Sequence, residues 1–325
     1  MTPRTEAQAR TNPCRGLVRT RRMADNAGIR FGPSACRSSG TSFPLTVPLL
    51  HSSPLPAPAI ADTLTHLGEL ATAFEIEWLA ECDSTNRVLM DAAAGDDGRM
   101  QVVVSNCQHA GRGRRGRQWQ SWPGGSLTFS LRRRFGAGAP VPGGLSLVAG
   151  LAVANALDAL GVPGITLKWP NDILHHNDKL GGILVELQSV RSHGRGHAMS
   201  AVIGIGINLR LPPHATIEGQ TGVTDLASLM PVPPAPAVLL AAVLSELHRL
   251  LTTYEQAGFP ALRDAWQQRN AHAGKVVRIH SETDSFDGLC IGVDDDGALL
   301  VDLNGRSQRV LAGDVSLRAV RGALT

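Results

Sequence analysis

The spacing of apolar residues predicts a mixture of helices and strands through the middle of the chain. Alanine and leucine recur at helical spacing over residues 145–160, and further helices are expected over 61–70, 237–254 and 260–268. Apolar runs predict strands over residues 74–79, 101–105, 125–131, 165–169, 180–187 and 198–209. Short polar side chains at residues 83–86 can cap another helix that runs toward Ala93, whereas residues 211–236 are expected to be irregular. This order of elements predicts an α+β fold, a mixed sheet with packed helices.

The pattern changes after Gly274, where short strands are predicted over residues 275–280, 288–293, 298–302, 309–311 and 316–318. Asp296-Gly297 and Asn304-Gly305 mark tight turns between them, and five such strands predict a small β-barrel. We therefore expect two domains, over residues 61–270 and 274–321. Residues 1–60 are rich in Arg, Ser and Pro without apolar periodicity, which predicts a disordered or mis-assigned extension; an organelle transit peptide is the alternative.

Charge is divided unevenly along the chain. The formal charge is +3, yet residues 1–60 carry +6 and residues 61–325 carry −3. A slightly acidic folded part argues against a protein that binds nucleic acid through broad phosphate contacts. Five cysteines without a C-x-x-C pair argue against a disulfide framework and a zinc site, and favour a reducing, cytoplasmic location. No uncharged apolar run reaches about 18 residues, so no membrane-spanning helix is expected.

The most unusual stretch is Gly-Arg-Gly-Arg-Arg-Gly-Arg-Gln-Trp at residues 111–119. Glycines permit close backbone approach and arginines offer forked donors, which together suit phosphate or carboxylate. The alternative is an RGG-like basic turn that binds nucleic acid or has no ligand. Lysine is scarce, with three in the whole chain against 28 arginines. A retained lysine suggests a need for a compact, titratable ammonium, which draws attention to Lys168 and Lys179.

Four further motifs accompany this arginine loop, as we call residues 111–119. They are Asp-Ser-Thr-Asn at 83–86, Lys-Trp-Pro-Asn-Asp at 168–172, Lys-Leu-Gly-Gly-Ile-Leu-Val-Glu at 179–186 and Gly-Ile-Gly-Ile-Asn at 204–208. In this order, and followed by a small barrel, they resemble the biotin protein ligases, the biotin–[acetyl-CoA-carboxylase] ligase family, over about residues 75–320. The resemblance implies a class II synthetase-like catalytic domain and an SH3-like C-terminal barrel. It also implies that biotin and ATP form biotinyl-5′-AMP, whose biotin passes to a lysine of a carboxyl-carrier domain.

The resemblance also implies site residues. Those expected to bind biotin are Ser84, Thr85, Asn86, Gln108, Arg112, Lys179 and Gly182. Those expected to bind ATP or the adenylate are Gly111, Gly113, Arg114, Arg115, Gly116, Trp119, Asn171, Asn208 and Arg318. Lys179, Arg114 and Asp172 are the expected catalytic residues: Lys179 stabilises charge at the α-phosphate, and Asp172 orients Lys179 or accepts a proton from the acceptor amine. Mg²⁺ is expected with ATP, held largely by phosphates and water, and no metal ligands are assigned.

Two alternative functions stay open, and the sequence departs from the family pattern in two respects. Lipoate or octanoyl transfer is a related chemistry, and a non-enzymatic nucleic-acid binder is an alternative from a different class. No helix-turn-helix pattern precedes residue 75, so operator binding is not implied and no specific nucleic acid is expected. No aromatic residue lies between Leu209 and Thr253 to stack on adenine, which leaves Trp119 or aliphatic groups. The sequence does not decide which carrier is modified or whether a homodimer forms, and it predicts no membrane partner.

Overall fold

The computed structural model describes residues 57–92, 98–136, 142–192, 196–213, 215, 222–280, 285–311 and 316–319. The predicted extension therefore lies outside the described residues, apart from its last four positions, which belong to the first helix. His193 and residues 216–221 of the connection after the seventh strand also lie outside them. The burial of side chains in the last strand, which contains Arg318, is likewise not described.

Six helices occur in the described residues. They are α1 (Ala57–Leu67), α2 (Thr85–Asp91), α3 (Leu145–Ala159), α4 (Leu226–Leu229), α5 (Pro236–Ala257) and α6 (Pro260–Gln268). The first helix starts four residues before the predicted one and is followed by a 3-10 turn, Gly68–Ala73. Proline at the first position of α5 and of α6 starts each helix without losing a hydrogen bond, because that N–H has no partner inside a helix. The short α4 lies in the connection predicted to be irregular.

Seven strands form the predicted mixed sheet. They are β1 (Phe74–Leu79), β2 (Met100–Ser105), β3 (Ser126–Arg134), β4 (Ile165–Lys168), β5 (Asp172–His175), β6 (Asp178–Ser192) and β7 (Gly196–Asn208). Their order is β1-β2-β3-β7-β6-β5-β4, with β1 and β2 parallel and all other neighbours antiparallel. The sequence analysis missed β5, which has only four residues and directly follows the Pro-Asn turn.

The two faces of this sheet differ in polarity. Leu127, Phe129 and Leu131 of β3 point to the main core, where α3 and α5 cover the sheet. The alternate residues of β3 are Ser126, Thr128, Ser130 and Arg132, which are buried on the other face. Because side chains alternate along a strand, this stripe of small polar residues lies beside Gly204, Gly206 and Asn208 of β7, its paired strand. The polar face holds the candidate site.

Five strands form a second, antiparallel sheet, as the turn pattern predicts. They are β8 (Val276–His280), β9 (Ser285–Val293), β10 (Leu299–Leu303), β11 (Arg306–Val310) and β12 (Ser316–Ala319), in the order β11-β10-β9-β8-β12. The ninth and eleventh strands each begin three residues before the predicted positions. Trp169, which is fully buried, donates its indole N–H to the carbonyl of Gly297 at 3.0 Å. The turn before β10 thus contacts the turn that carries the Lys-Trp-Pro-Asn-Asp motif.

The helix α5 is long and apolar enough to cross a membrane by length and composition alone. In this fold Leu239, Leu244 and Leu247 are fully buried in the main core, and the helix packs on α3 and α1. Burial on several sides explains its apolar composition, because a helix surrounded by protein has few positions that face water.

Candidate active site

A pocket opens on the polar face of the seven-stranded sheet. Its walls come from the start of α2, the arginine loop, β3, the β4–β5 turn, β6 and β7. Fourteen predicted site residues line it: Ser84, Thr85, Asn86, Gln108, Arg112, Gly113, Arg114, Arg115, Trp119, Asn171, Asp172, Lys179, Gly182 and Asn208. The fold therefore brings together residues that are up to 124 positions apart in sequence.

Two lysines share one carboxylate at the deep end of this pocket. The Nζ atom of Lys179 lies 2.6 Å from Oδ1 of Asp172, and the Nζ atom of Lys168 lies 3.1 Å from Oδ2 of the same side chain. Burial by itself would raise the pKa of Asp172, but attraction and hydrogen bonds from Lys179 and Lys168 outweigh it, so the pKa lies below its ordinary value. Asp172 is therefore ionised at neutral pH.

Backbone pairing places these three side chains. Lys168 and Asp172 face each other across β4 and β5, which a tight turn connects. The register of β5 and β6 shifts between Ile173 and Leu174, so that Lys179 pairs with Leu174 and Gly181 with Ile173. Such an irregularity re-aims side chains next to it. Gly182 lies beside the end of Lys179, since a Cβ there would be 3.4 Å from the ammonium, in van der Waals contact.

Two asparagine side chains hydrogen-bond to the backbone of β6 next to these lysines. Asn171 donates its amide to the carbonyl of Ile183 at 2.8 Å, which fixes the β4–β5 turn against β6. Asn208 is 1% exposed and donates to the carbonyls of Lys179 and Thr224 at 3.4 and 3.0 Å. Its Oδ1 atom has no partner among the described residues. A buried oxygen without a partner in the pocket wall can accept a hydrogen bond from a ligand.

A hydrogen-bonded chain lines the other end of the pocket. Gln108 accepts from the Thr85 backbone N–H at 2.7 Å and from its hydroxyl at 3.2 Å, so it satisfies the first N–H of α2. Ser130, fully buried, donates to Oδ1 of Asn86 at 2.6 Å and lies 2.7 Å from the Thr85 hydroxyl. Ser84 is the N-cap residue, but its side chain makes no capping hydrogen bond, so its hydroxyl is not used to start the helix.

The arginine loop closes on itself by backbone hydrogen bonds. The N–H of Trp119 donates to Gly111 at 2.9 Å, and the N–H of Gly113 donates to Arg117 at 2.7 Å. The tip of the loop is a tight turn, Arg114–Gly116, in which Arg115 and Gly116 both have the positive φ of the left-handed region. A Cβ at Gly111 would overlap the Trp119 carbonyl and approach Gln108 Nε2 at 2.9 Å. The close packing of the loop therefore explains this glycine.

Two arginines of the loop interact with the sheet: Arg112 bonds to β6, and Arg114 lies near Asp172 of β5. Arg112 donates to Glu186 at 3.0 Å, and Asn86 donates to the same Glu186 oxygen at 2.8 Å. Arg114 lines the pocket, and burial together with the neighbouring Arg115 lowers its pKa, while Asp172 opposes the shift. Arg114 is thus held within the electrostatic reach of Asp172.

Trp119 lies against the polar face of β7. A Cβ at Gly206 would overlap its ring, and a Cβ at Gly204 would overlap the amide of Asn86. The indole N–H donates to the Thr128 hydroxyl at 3.3 Å. These two glycines therefore leave room for the side chains of Trp119 and Asn86.

Two predicted residues, Gly111 and Gly116, line a neighbouring depression along the arginine loop. Arg318 lies in β12, in register with Arg278 of β8, and its side chain lies outside the described part of the structure. The roles assigned to all the predicted site residues stay predictions.

Several residues that contact the predicted site residues received no role in the sequence analysis, among them Lys168, Thr128, Ser130 and Glu186. The rarity of lysine drew attention to Lys168, but nothing in the spacing indicated that it shares a carboxylate with Lys179. The alternation of polar and apolar residues along 126–132 could have indicated the polar stripe of β3. Across the described ranges, no group of three His, Cys, Asp or Glu side chains could hold a metal ion.

Comparison with known proteins defines the class. Residues 79–208 match the Biotin/lipoate A/B protein ligase family, and residues 272–318 match the Biotin protein ligase C terminal domain. The biotin--[acetyl-CoA-carboxylase] ligase of Paracoccus denitrificans is 35% identical over 238 residues, which cover 69% of this chain and 92% of that protein. The bifunctional ligase/repressor BirA of Escherichia coli is 32% identical over 240 residues, covering 73% and 72%.

A solved structure gives the same result. The biotin protein ligase from Aquifex aeolicus in complex with biotin and ATP superposes with a TM-score of 0.64 at 26% identity, covering 76% of this chain and 99% of that one. The chain belongs to the biotin protein ligase family. The α+β fold and the resemblance expected from the sequence are thereby confirmed, and the match of the C-terminal domain favours biotin over lipoate chemistry.

Proposed function

We propose that Lys179, Asp172 and Arg114 carry the adenylation step of this biotin protein ligase. As a member of its family, the chain activates biotin with ATP to biotinyl-5′-AMP and transfers biotin to a lysine of an acceptor protein. The observation that supports the residue assignment most directly is the Lys179–Asp172 pair, with its 2.6 Å separation inside the pocket. Two anionic substrates must meet there, and fixed cations lower the energy of that encounter.

In the first step a biotin carboxylate oxygen attacks the α-phosphorus of ATP, and the bond to the β-phosphate oxygen breaks. Negative charge grows on the phosphorus oxygens during this step. Lys179 is placed to stabilise that charge as a point charge on a flexible stem, and Arg114 adds a second cation from the loop. Mg²⁺ enters with ATP, held by phosphates and water, because Asp172 is already engaged by two lysines.

Biotin is proposed to occupy the end of the pocket lined by Ser84, Thr85 and Gln108. The Ser84 hydroxyl, which does not cap α2, can bond the polar head group of biotin. Gln108 accepts from the Thr85 backbone N–H at 2.7 Å, which fixes the orientation of its amide in the pocket wall. Asn86, also predicted to bind biotin, bonds Ser130 and Glu186 instead, so we propose that it supports the pocket wall. Arg112 and Gly182 complete this end.

The adenylate is proposed to lie along the arginine loop and β7. Trp119 offers the aromatic surface that the connection after β7 lacks, and Asn208 offers its unpaired oxygen. Asn171, Arg115 and the loop glycines line or border the same space. Arg318 of the C-terminal domain is also proposed to bind the adenylate, as the family resemblance implies.

In the second step the acceptor lysine amine attacks the acyl carbon, AMP leaves, and the amine loses a proton. Asp172 is proposed either to orient Lys179 or to accept that proton; the lowered pKa of its carboxyl makes it a weak base and supports the first role. The acceptor is proposed to be the carboxyl-carrier domain of acetyl-CoA carboxylase or a related carboxylase, the substrate that the name of the Paracoccus relative gives for that protein. A cytoplasmic location and the absence of a nucleic-acid partner are also proposals, and a homodimer is left to measurement.

Replacement of Lys179 tests the assignment. The Lys179→Ala variant is expected to lose biotin- and ATP-dependent pyrophosphate release by about a hundredfold or more, because the transition state loses its point charge. The circular dichroism spectrum should not change. Normal pyrophosphate release from this variant would remove Lys179 from the mechanism.

Mass spectrometry of a carrier domain incubated with wild-type protein, ATP and biotin tests the second step: a single biotinylated lysine is expected.

A further inference from the structure

The carboxylate of Asp172 has a cation on each oxygen, an arrangement that the proposed mechanism does not use fully. Lys179 contacts Oδ1 and Lys168 contacts Oδ2, and the three side chains are 16%, 23% and 12% exposed for Lys179, Lys168 and Asp172. Lys168 reaches Asp172 directly across β4 and β5. The adenylation step requires Lys179 to face the substrate, but it gives Lys168 no task.

A lysine that is the sole partner of a buried carboxylate is poorly suited to leave it and bind a substrate phosphate. If Lys179 turned from Asp172 to a phosphate, it would leave an uncompensated buried charge, which is strongly unfavourable. A second cation on the other carboxylate oxygen removes that difficulty. Asp172 then keeps its charge and its orientation whether or not Lys179 is in contact with it.

We propose that Lys168 is a positioning residue that holds Asp172 ionised and oriented while Lys179 moves between Asp172 and the reacting phosphate. This inference rests on the role proposed above for Lys179. The lowered pKa of Asp172 agrees with it, since both lysines contribute to the shift. The composition agrees as well: two of the three lysines in a chain with 28 arginines meet at this one carboxylate.

The charged groups around Asp172 define what the removal of Lys168 would change. Lys179 faces Asp172 from β6, Lys168 from β4 and Arg114 from the arginine loop. His272, from the segment after α6, interacts with Lys168, and burial followed by repulsion from Lys168 and Lys275 lowers its pKa to about 4. His272 is therefore neutral at pH 7 and cannot replace the missing charge. Without Lys168, Asp172 is neutralised chiefly by Lys179.

The test is the pH profile of biotin-dependent pyrophosphate release in single-turnover experiments. In Lys168→Met, the rate constant at pH 7.5 should fall about tenfold to a hundredfold, with KM for biotin within about threefold of wild type. The acidic limb of the profile should move to higher pH by about one unit, because Asp172 loses one of its stabilising charges.

Two further variants are controls. Lys168→Arg keeps the charge and should retain the wild-type limb. Lys275→Met is the matched control: Lys275 is an exposed lysine whose ammonium donates to the carbonyl of Ala271, and its loss should move neither quantity.

A double-mutant cycle with Asp172→Asn distinguishes positioning from a direct role. If Lys168 acts through Asp172, the Lys168→Met change should have little further effect in the Asp172→Asn background. Additive losses, or an acidic limb that does not move in Lys168→Met, would overturn the proposal. If Lys168→Met does not fold, Lys168→Gln, which also removes the charge, takes its place in the same cycle with the same two outcomes. A wild-type protein without biotin-dependent pyrophosphate release would instead overturn the proposed function, a separate result.

Discussion

Two glycines of this site are explained by the space that a neighbouring side chain occupies. Gly206 leaves space for the ring of Trp119, and Gly204 leaves space for the amide of Asn86. A Gly-x-Gly sequence indicates that something approaches the backbone closely, but it does not indicate whether a ligand or a side chain does so. That distinction depends on contacts across more than 80 positions of sequence, which local patterns do not contain.

Gly206→Ala is expected to weaken ATP binding. The added methyl group would overlap the Trp119 ring, so the indole must leave β7 and lose its hydrogen bond to Thr128. We expect KM for ATP to rise about tenfold, which corresponds to about 1.4 kcal/mol, with KM for biotin nearly unchanged. Gly136→Ala, where an added Cβ meets nothing within 4 Å, is the control. An unaltered KM for ATP in Gly206→Ala would contradict the proposed place of Trp119.

Two buried serines on neighbouring strands allow a paired prediction. Ser130 bonds Asn86 and Thr85, whereas the Ser200 hydroxyl, equally buried, has no partner among the described residues. Ser130→Ala leaves Asn86 Oδ1 without a donor and should lower the free energy of unfolding by about 1–3 kcal/mol, with a raised KM for biotin. Ser200→Ala should be neutral or stabilising. Urea unfolding measures both, and equal losses would show that the hydrogen bonds of Ser130 are not the reason.

At the scale of elements, the arginine loop combines a closed backbone with side-chain attachments to the sheet through Arg112 and Trp119. Repulsion among its arginines opposes closure, and substrate anions remove that repulsion, so the sequence predicts a lid over the adenylate. The pair between Arg112 and Glu186 gives this lid an attachment on β6. That attachment was not predicted, although Glu186 ends one of the motifs that carry the resemblance.

Glu186→Gln is expected to release the loop without unfolding the protein. The Arg112 side chain is 45% exposed, so its ion pair contributes at most about 1 kcal/mol to global stability. Trypsin should cut after Arg114 or Arg115 several times faster in the variant, and biotin plus ATP should slow cleavage in wild type. The control is Glu255→Gln, which removes a different arginine partner, Arg133, on another part of the sheet. Cleavage that does not respond to biotin plus ATP would refute the lid.

The sequence predicted most elements of the fold and most members of the site, but fewer of its contacts. Alternation located β1, a continuous apolar run located β2 and helical spacing located α3, each within one residue, because the burial of each element matches its apolar pattern. The four-residue strand β5 was missed, since four residues carry too little pattern. The register shift that aims Lys179 could not be predicted either, because it depends on pairing between strands.

At the scale of the whole molecule, the two sheets meet near the active site. His272 lies between α6 and β8 and is buried, and its Nδ1 atom has no partner among the described residues. Asn270, two residues earlier, accepts a hydrogen bond from the His272 backbone N–H at 3.0 Å. This junction must therefore bury an imidazole in its neutral form, which links the stability of the fold to pH.

Acid should destabilise the protein through His272. Burial, and repulsion from Lys168 and Lys275, lower its pKa from 6.5 to about 4, so the unfolded chain binds a proton there at a higher pH than the folded chain does. The stabilisation is fully present above pH 6.5, falls as the pH drops toward 4, and amounts to about 3 kcal/mol. Urea unfolding from pH 7.5 to 4.5 should show a smaller pH dependence in His272→Asn than in wild type. His66→Asn, an exposed histidine on α1, should behave as wild type; parallel curves for all three proteins would contradict the assignment.

The scarcity of lysine affects how readily the enzyme can be acylated by its own reaction intermediate. Biotinyl-5′-AMP acylates amines, and a ligase that holds it is exposed to its own reagent. Arginine is not acylated under these conditions, because its guanidinium stays protonated. Of the three lysines, two are ion-paired with Asp172 and the third donates to a backbone carbonyl, so each side-chain nitrogen is engaged by an acceptor within the fold. A surface built from arginine thus limits self-labelling and leaves the acceptor protein as the preferred nucleophile.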